Sequence, residues 1–252
     1  MKTGGPKNVS DYVKRTIVKE EVPSTHVDSP RLVKVYLPPG YNELLSYPVV
    51  YCQDGNDFFT MGRIATIANQ LILEEGIEPF LIVGVSVERS KRTSEYAATG
   101  SRNEAYKRFF TEELLPYIEE RYPVRRDSSA RVLAGDSLGG TVSLHLALDR
   151  PDLFERVLSL SGAFFQTTQD QLAHSESLSW MNIWMVVGLD ETAVETHTGT
   201  YDFVRWNRLA KNVLEQKGAA ISYREKPGDH VWGLWQKELP DGLRHFFPAP
   251  RL

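Results

Sequence analysis

Short, solidly apolar runs recur along the chain: residues 48–52 (PVVYC), 80–86 (FLIVGVS), 131–135 (RVLAG), 156–160 (RVLSL) and 182–187 (NIWMVV). Runs of this length without apolar–polar alternation predict strands buried on both faces, as in a parallel sheet. Between them lie segments whose apolar residues recur three and four positions apart, the period of a helix with one buried stripe. In 103–121 these are Tyr106, Phe109, Phe110, Leu114, Leu115 and Ile118; 61–75, 138–149, 202–217 and 232–246 read likewise. Residues 12–20 and 31–37 alternate only in part and predict an antiparallel N-terminal edge, with PPGY at 38–41 as a turn. Strands that alternate with helices predict an α/β fold, with a mostly parallel central sheet, helices on both faces and right-handed crossovers. No repeat or linker-like tract interrupts the pattern. All 252 residues are therefore expected to form one domain, with 1–10 as a flexible N-terminus. The segments 56–64, 87–102 and 163–180 carry no readable period and are expected to be loops that shape a pocket.

Composition narrows the function. A formal net charge of -4 leaves no electrostatic footprint for nucleic acid. The single cysteine, Cys52, excludes an internal disulfide and a cysteine-rich zinc site. No apolar run approaches the ~18 residues a membrane span needs. The N-terminal MKTGGPKNVS lacks the apolar core of a signal peptide, so a cytoplasmic location is expected. There is no H-E-x-x-H, no P-loop and no dinucleotide-binding glycine fingerprint.

One stretch carries chemistry. Gly135-Asp136-Ser137-Leu138-Gly139 follows a buried strand and opens a helix, the context of the G-x-S-x-G nucleophile elbow. Small neighbours relieve the crowding around a strained nucleophile. The Leu138 N–H, at the helix N-terminus, is then aimed at any oxyanion formed beside Ser137. The plainer reading is a glycine-rich turn with Ser137 as an N-cap.

A serine nucleophile needs a base, and in this context the chain order is Ser, then Asp or Glu, then His. His145 lies inside the elbow helix, His174 and His197 sit in polar stretches, and His245 falls within the last helix. His230, in KPGDHVWGLW, follows a strand-like AISYREK and precedes a helix. Catalytic groups gather in such a loop, so His230 is the candidate base. The preceding strand runs into Asp190 and Glu191, both within reach of an imidazole. The G-x-x-E spacing from Gly188 favours Glu191 as the orienting acid, with Asp190 the close alternative and Glu195 and Asp202 more distant ones.

VKVYLPPGY, YPVVYCQDG, LIVGVSVERSKRTSEY, FFTEELLPYIEERYPV, RVLAGDSLGGTVSLHLALDRPDLFERVLSLSGAF and PGDHVWGLWQKELPDGLRHFF together resemble the "Putative esterase" family of α/β-hydrolases. That family includes enterochelin, feruloyl and acetyl-xylan esterases, S-formylglutathione hydrolases and mycolyltransferases. The resemblance covers about Arg31 to Phe247. It implies an α/β-hydrolase fold of about eight strands, a Ser–acid–His triad, no cofactor and a small-molecule ester substrate. It also implies a second oxyanion donor in the loop after the strand ending in Asp-Gly, here the backbone N–H of Asn56. Arg92, Glu95 and Tyr96 match a family pattern near the site and suggest a polar wall or a brace for loops. Trp232 and Trp235 are expected in the core. The extra N-terminal module of larger siderophore esterases is not seen in this sequence. An acyltransferase with the same nucleophile, or a non-catalytic binding protein on this fold, remain the alternatives.

Overall fold

The computed structural model describes residues 14–249; the expected flexible N-terminus at 1–10 lies outside them. Eight strands form one sheet in the order β1-β2-β4-β3-β5-β6-β7-β10. They are β1 (Thr16–Val22), β2 (Arg31–Leu37), β3 (Val49–Cys52), β4 (Leu81–Val85), β5 (Arg131–Asp136), β6 (Arg156–Leu160), β7 (Asn182–Gly188) and β10 (Ala220–Lys226). β2 pairs antiparallel with β1 and β4, while every pairing from β4 to β10 is parallel. This is the mostly parallel sheet with an antiparallel N-terminal edge that the apolar runs predict. Of the expected first strand, 12–13 lie outside the described residues, and the strand begins at Thr16, after two non-strand residues. It is largely exposed, so burial does not sharpen its limits.

β3, β4 and β5 are buried throughout because helices cover both faces. The pleat sorts their side chains by period two. Val49 and Tyr51 enter one core and Val50 and Cys52 the other. The first core is roofed by the helical stretch 103–121 together with α6 (Leu138–Asp149), α7 (Gln166–His174) and α8 (Phe203–Gln216). The second is roofed by α1 (Gly55–Thr60), α2 (Ile64–Glu75) and α9 (Trp232–Phe246). The stretch 103–121 comprises α4 (Asn103–Arg108), a π-helical turn (Phe109–Leu114) and α5 (Leu115–Arg121). Pro116 lacks an N–H and its ring crowds the carbonyl a turn earlier, and the widened turn accommodates both.

All three segments expected to be loops contain helix as well. α3 (Arg89–Tyr96) is polar nearly all round and buries only Glu95 and Tyr96, so no apolar stripe announces it. α7 is a similar case, and α1 begins one residue before the unassigned stretch 56–64. A small separate hairpin, β8 (Val194–Thr196) with β9 (Gly199–Tyr201), follows β7. Among the described residues no helix is long and apolar enough to cross a membrane.

The functional consequence of this topology is positional. β3, β5, β6, β7 and β10 run in one direction, so the segments that leave their carboxyl ends meet at one rim. Those segments carry Asp54, Ser137, Ser161, Glu191 and His230.

Candidate active site

Ser137 joins β5 to α6 with φ 52° and ψ -119°. A side chain in this region costs about 1–3 kcal/mol of strain. The conformation is held by three bonds: the Ser137 N–H donates to the Leu160 carbonyl (2.9 Å), and its own carbonyl accepts from Ala163 (3.0 Å) and Thr141 (3.2 Å) N–H groups. The glycines explain how the turn fits. A Cβ on Gly135 would lie 2.1 Å from the Gly139 carbonyl carbon, and one on Gly139 would press on Asp54 and Gln53. The elbow helix therefore rests on β5 with no room for a methyl group at Gly135, and sits tightly against the loop after β3 at Gly139.

Ser137 and His230 border the same cavity, of about 500 Å³. His230 Nδ1 bonds Glu191 Oε2 at 2.6 Å. Glu191 is fully buried, and its other oxygen accepts from the Gly188 N–H (2.7 Å) and the Ser161 hydroxyl (2.6 Å). Three donors thus converge on one carboxylate and fix its plane, and with it the imidazole. Ser161 itself has φ 48° and accepts from Trp235 Nε1 at 2.9 Å, while the Trp235 ring meets His230 edge-on at 4.9 Å. Phe203 also packs on the imidazole, tilted, with 4.2 Å between centroids.

Of the two carboxylates the sequence leaves open, Glu191 meets the imidazole. Asp190 is exposed and accepts the Gly228 N–H at 3.1 Å. Glu195 borders the cavity from β8, and Asp202 caps α8 through the Arg205 N–H. The remaining late histidines are accounted for. His145 is buried against Thr168, and burial pushes it down to about 4, so it stays neutral. His174 bonds the Asp170 carbonyl, and His245 bonds Asn182. His197, expected only as a solvated residue, borders the cavity from the tip of the β8–β9 hairpin.

Leu138 borders the cavity as the first residue of α6, where its N–H has no acceptor within the helix. Asn56 is exposed in the first turn of α1 and borders an adjoining cavity of about 380 Å³. Asp57, Arg92, Thr93 and His197 line both cavities, which therefore adjoin. Gly55 lets this loop lie on β4, since a Cβ there would be 2.1 Å from the Gly84 backbone.

Arg92 grips Asp54 with a planar fork, Nε to Oδ1 at 2.8 Å and Nη2 to Oδ2 at 2.7 Å. Burial works against the Arg92 charge, but the Asp54 carboxylate outweighs it and raises the group further. Burial raises both Asp54 and Asp136, and Arg92 opposes the rise in each. Asp136 is pushed to about 8, by burial first and by the Asp54 charge second. The fork serves Asp54. Asp136 Oδ1 is buried without a partner, and Oδ2 lies 3.8 Å from Arg92, so the proton of the pair sits on Asp136. Glu95, expected near the site, instead pairs with Arg31 in the interior at 2.9 Å. Tyr96 accepts the Asp54 N–H at 3.2 Å.

Trp232 is half-buried and packs edge-on against Phe58, as a core residue does, whereas Trp235 is buried and also walls the cavity. The pattern of the chain gives no notice of Ser161 or of the hairpin. The only local cue to Ser161 is its place just past β6, at the same rim as the elbow. Phe165, which stacks on Tyr201 at 4.1 Å, and Phe203 complete an apolar wall.

The chain is 34% identical over 241 residues to the Bacillus subtilis protein YjcH, covering 95% of this chain and 98% of that one. Its fold matches a solved ferulic acid esterase with a TM-score of 0.81 at 19% identity, covering 94% of this chain and all of the other. It also matches the enterobactin esterase FES of Shigella flexneri with a TM-score of 0.79 at 19% identity, covering 94% of this chain and 60% of that one. With residues 24–246 matching the family described as "Putative esterase", the chain belongs to that family of esterases on the α/β-hydrolase fold.

Proposed function

We propose that this esterase is a serine carboxylic-ester hydrolase in which Ser137 is the nucleophile, His230 the base and Glu191 the orienting acid. One observation carries the reading. A strained serine at a helix N-terminus and a histidine whose far nitrogen is held by a buried carboxylate open onto one cavity. With Nδ1 bonded to Glu191, Nε2 is the nitrogen left to take the Ser137 proton as Oγ attacks the ester carbonyl. The Leu138 N–H, and from the facing loop the Asn56 N–H, receive the oxyanion; one such donor lowers the barrier by about 3 kcal/mol. His230 protonates the departing alcohol, then activates water to clear the acyl group. Glu191 stabilises the imidazolium throughout.

The apolar wall of Phe165, Phe203, Val194 and Trp235 favours an ester with a flat or aryl group. The names of the ferulic acid and enterobactin esterases that share the fold agree with that choice. The test is turnover of p-nitrophenyl acetate and labelling by a fluorophosphonate, for the native chain and for Ser137→Ala. Activity and labelling are expected in the first and neither in the second. Turnover by purified Ser137→Ala would overturn the assignment.

A further inference from the structure

We propose that Arg92 is a positioning residue that fastens together the two segments supplying the oxyanion donors. This rests on the nucleophile reading above. The two segments come from different strands, β3 and β5, and each donor is a backbone N–H that cannot be aimed by a side-chain rotamer. A displacement of about 1 Å is enough to cost a hundredfold in rate. Some element has to hold one segment against the other.

Arg92 touches both. Its fork takes the Asp54 carboxylate at 2.7 and 2.8 Å, two residues before Asn56. The same Nη2 donates to the Asp136 carbonyl at 3.3 Å, two residues before Leu138. Asp54 is held on its other side too: its N–H donates to Tyr96 Oη, from the same helix as Arg92. Its backbone sits at φ 51°, in the left-handed region that aspartate enters more readily than most side-chain-bearing residues. The absent Cβ of Gly139 leaves Asp54 Oδ2 room against the elbow helix, 3.1 Å from where that carbon would lie. α3 is anchored by this grip and, one turn on, by the buried Glu95–Arg31 pair. Lysine could match the charge of Arg92 but not the two parallel bonds and the third to a carbonyl.

The experiment compares Arg92→Lys and Arg92→Gln with the native chain and with Lys91→Gln, a control on the same helix whose half-buried ammonium pairs with Glu88 at 2.9 Å. It uses p-nitrophenyl acetate and a trifluoromethyl ketone, which forms a tetrahedral adduct with a serine nucleophile. Both Arg92 variants are expected to lose about ten- to hundredfold in kcat with KM within about twofold, and inhibitor affinity should fall in step with kcat/KM. Asp54→Asn should reproduce the loss, and the Asp54→Asn, Arg92→Gln double variant should lose little more than either alone. A loss confined to KM, an unchanged kcat, or inhibitor affinity independent of kcat/KM would overturn the proposal. Failure of the nucleophile reading would show separately, as a native chain that the fluorophosphonate does not label at Ser137.

Discussion

Replacing Glu191 by glutamine tests the site by counting donors. Three N–H or O–H groups point at this carboxylate: Gly188 N–H and Ser161 O–H at Oε1, and His230 Nδ1 at Oε2. A carboxylate accepts on both sides, whereas a carboxamide accepts on one and donates on the other. The Gly188 N–H is part of the backbone and cannot turn away, and an unmet buried donor costs about 1–3 kcal/mol. The amide oxygen therefore faces Gly188 and the NH₂ faces His230. The imidazole can only answer by accepting at Nδ1, which moves its proton to Nε2. It then has no lone pair for the Ser137 proton. The loss is of a tautomer, not of a contact, and is expected at about 10³–10⁴ in kcat. Stability should change little, because the shape is kept. The assay is steady-state hydrolysis of p-nitrophenyl acetate at neutral pH, with thermal denaturation as the check on folding. Asp190→Asn, on an exposed carboxylate that meets only the Gly228 N–H, should stay within about threefold. A folded Glu191→Gln protein within tenfold of the native kcat would refute the reasoning, as would a larger loss in Asp190→Asn.

Gly135→Ala should destabilise the fold by about 3 kcal/mol or more, since the new methyl meets Gly139 and Gly140 backbone atoms that cannot give; a native-like denaturation midpoint would contradict this. Asp136 holds its proton to about 8 in the folded chain and near 3.8 when unfolded, so its favourable contribution is complete below 3.8 and is lost as pH rises through 8. Asp136→Asn keeps the neutral form, so its melting temperature should gain on the native chain from about pH 5 to pH 9; a gap that stays constant would place the proton elsewhere. Phe165→Ala removes the partner stacked on Tyr201 at 4.1 Å and should raise KM for methyl ferulate about five- to tenfold while sparing ethyl acetate; equal effects on both would show that the wall does not read the aryl group.

Much of this architecture is legible locally. A strand buried on both faces is apolar at most positions, and β3 to β7 announce themselves for that reason, although β5 buries Arg131 and Asp136 at its ends and β6 buries Ser159. The elbow is legible because a serine at φ 52° demands small neighbours, and those neighbours are written beside it as Gly135, Gly139 and Gly140. α3 is not legible: its eight nearly all-polar residues are held by distant partners, with Arg92 and Tyr96 reaching Asp54, thirty-eight and forty-two positions earlier, and Glu95 reaching Arg31.

By itself, then, the sequence determined the layered fold, the glycine-flanked turn that holds Ser137 and a short choice of candidate partners for it. Period, strand burial and glycine placement are properties of neighbouring residues. Tertiary structure alone decided that Glu191 and not Asp190 meets His230, that Ser161 completes the carboxylate's shell, and that a hairpin and an aromatic wall enclose the cavity. Those outcomes depend on which side of a turn each group faces once parallel strands bring distant segments to one rim, and no local pattern records that.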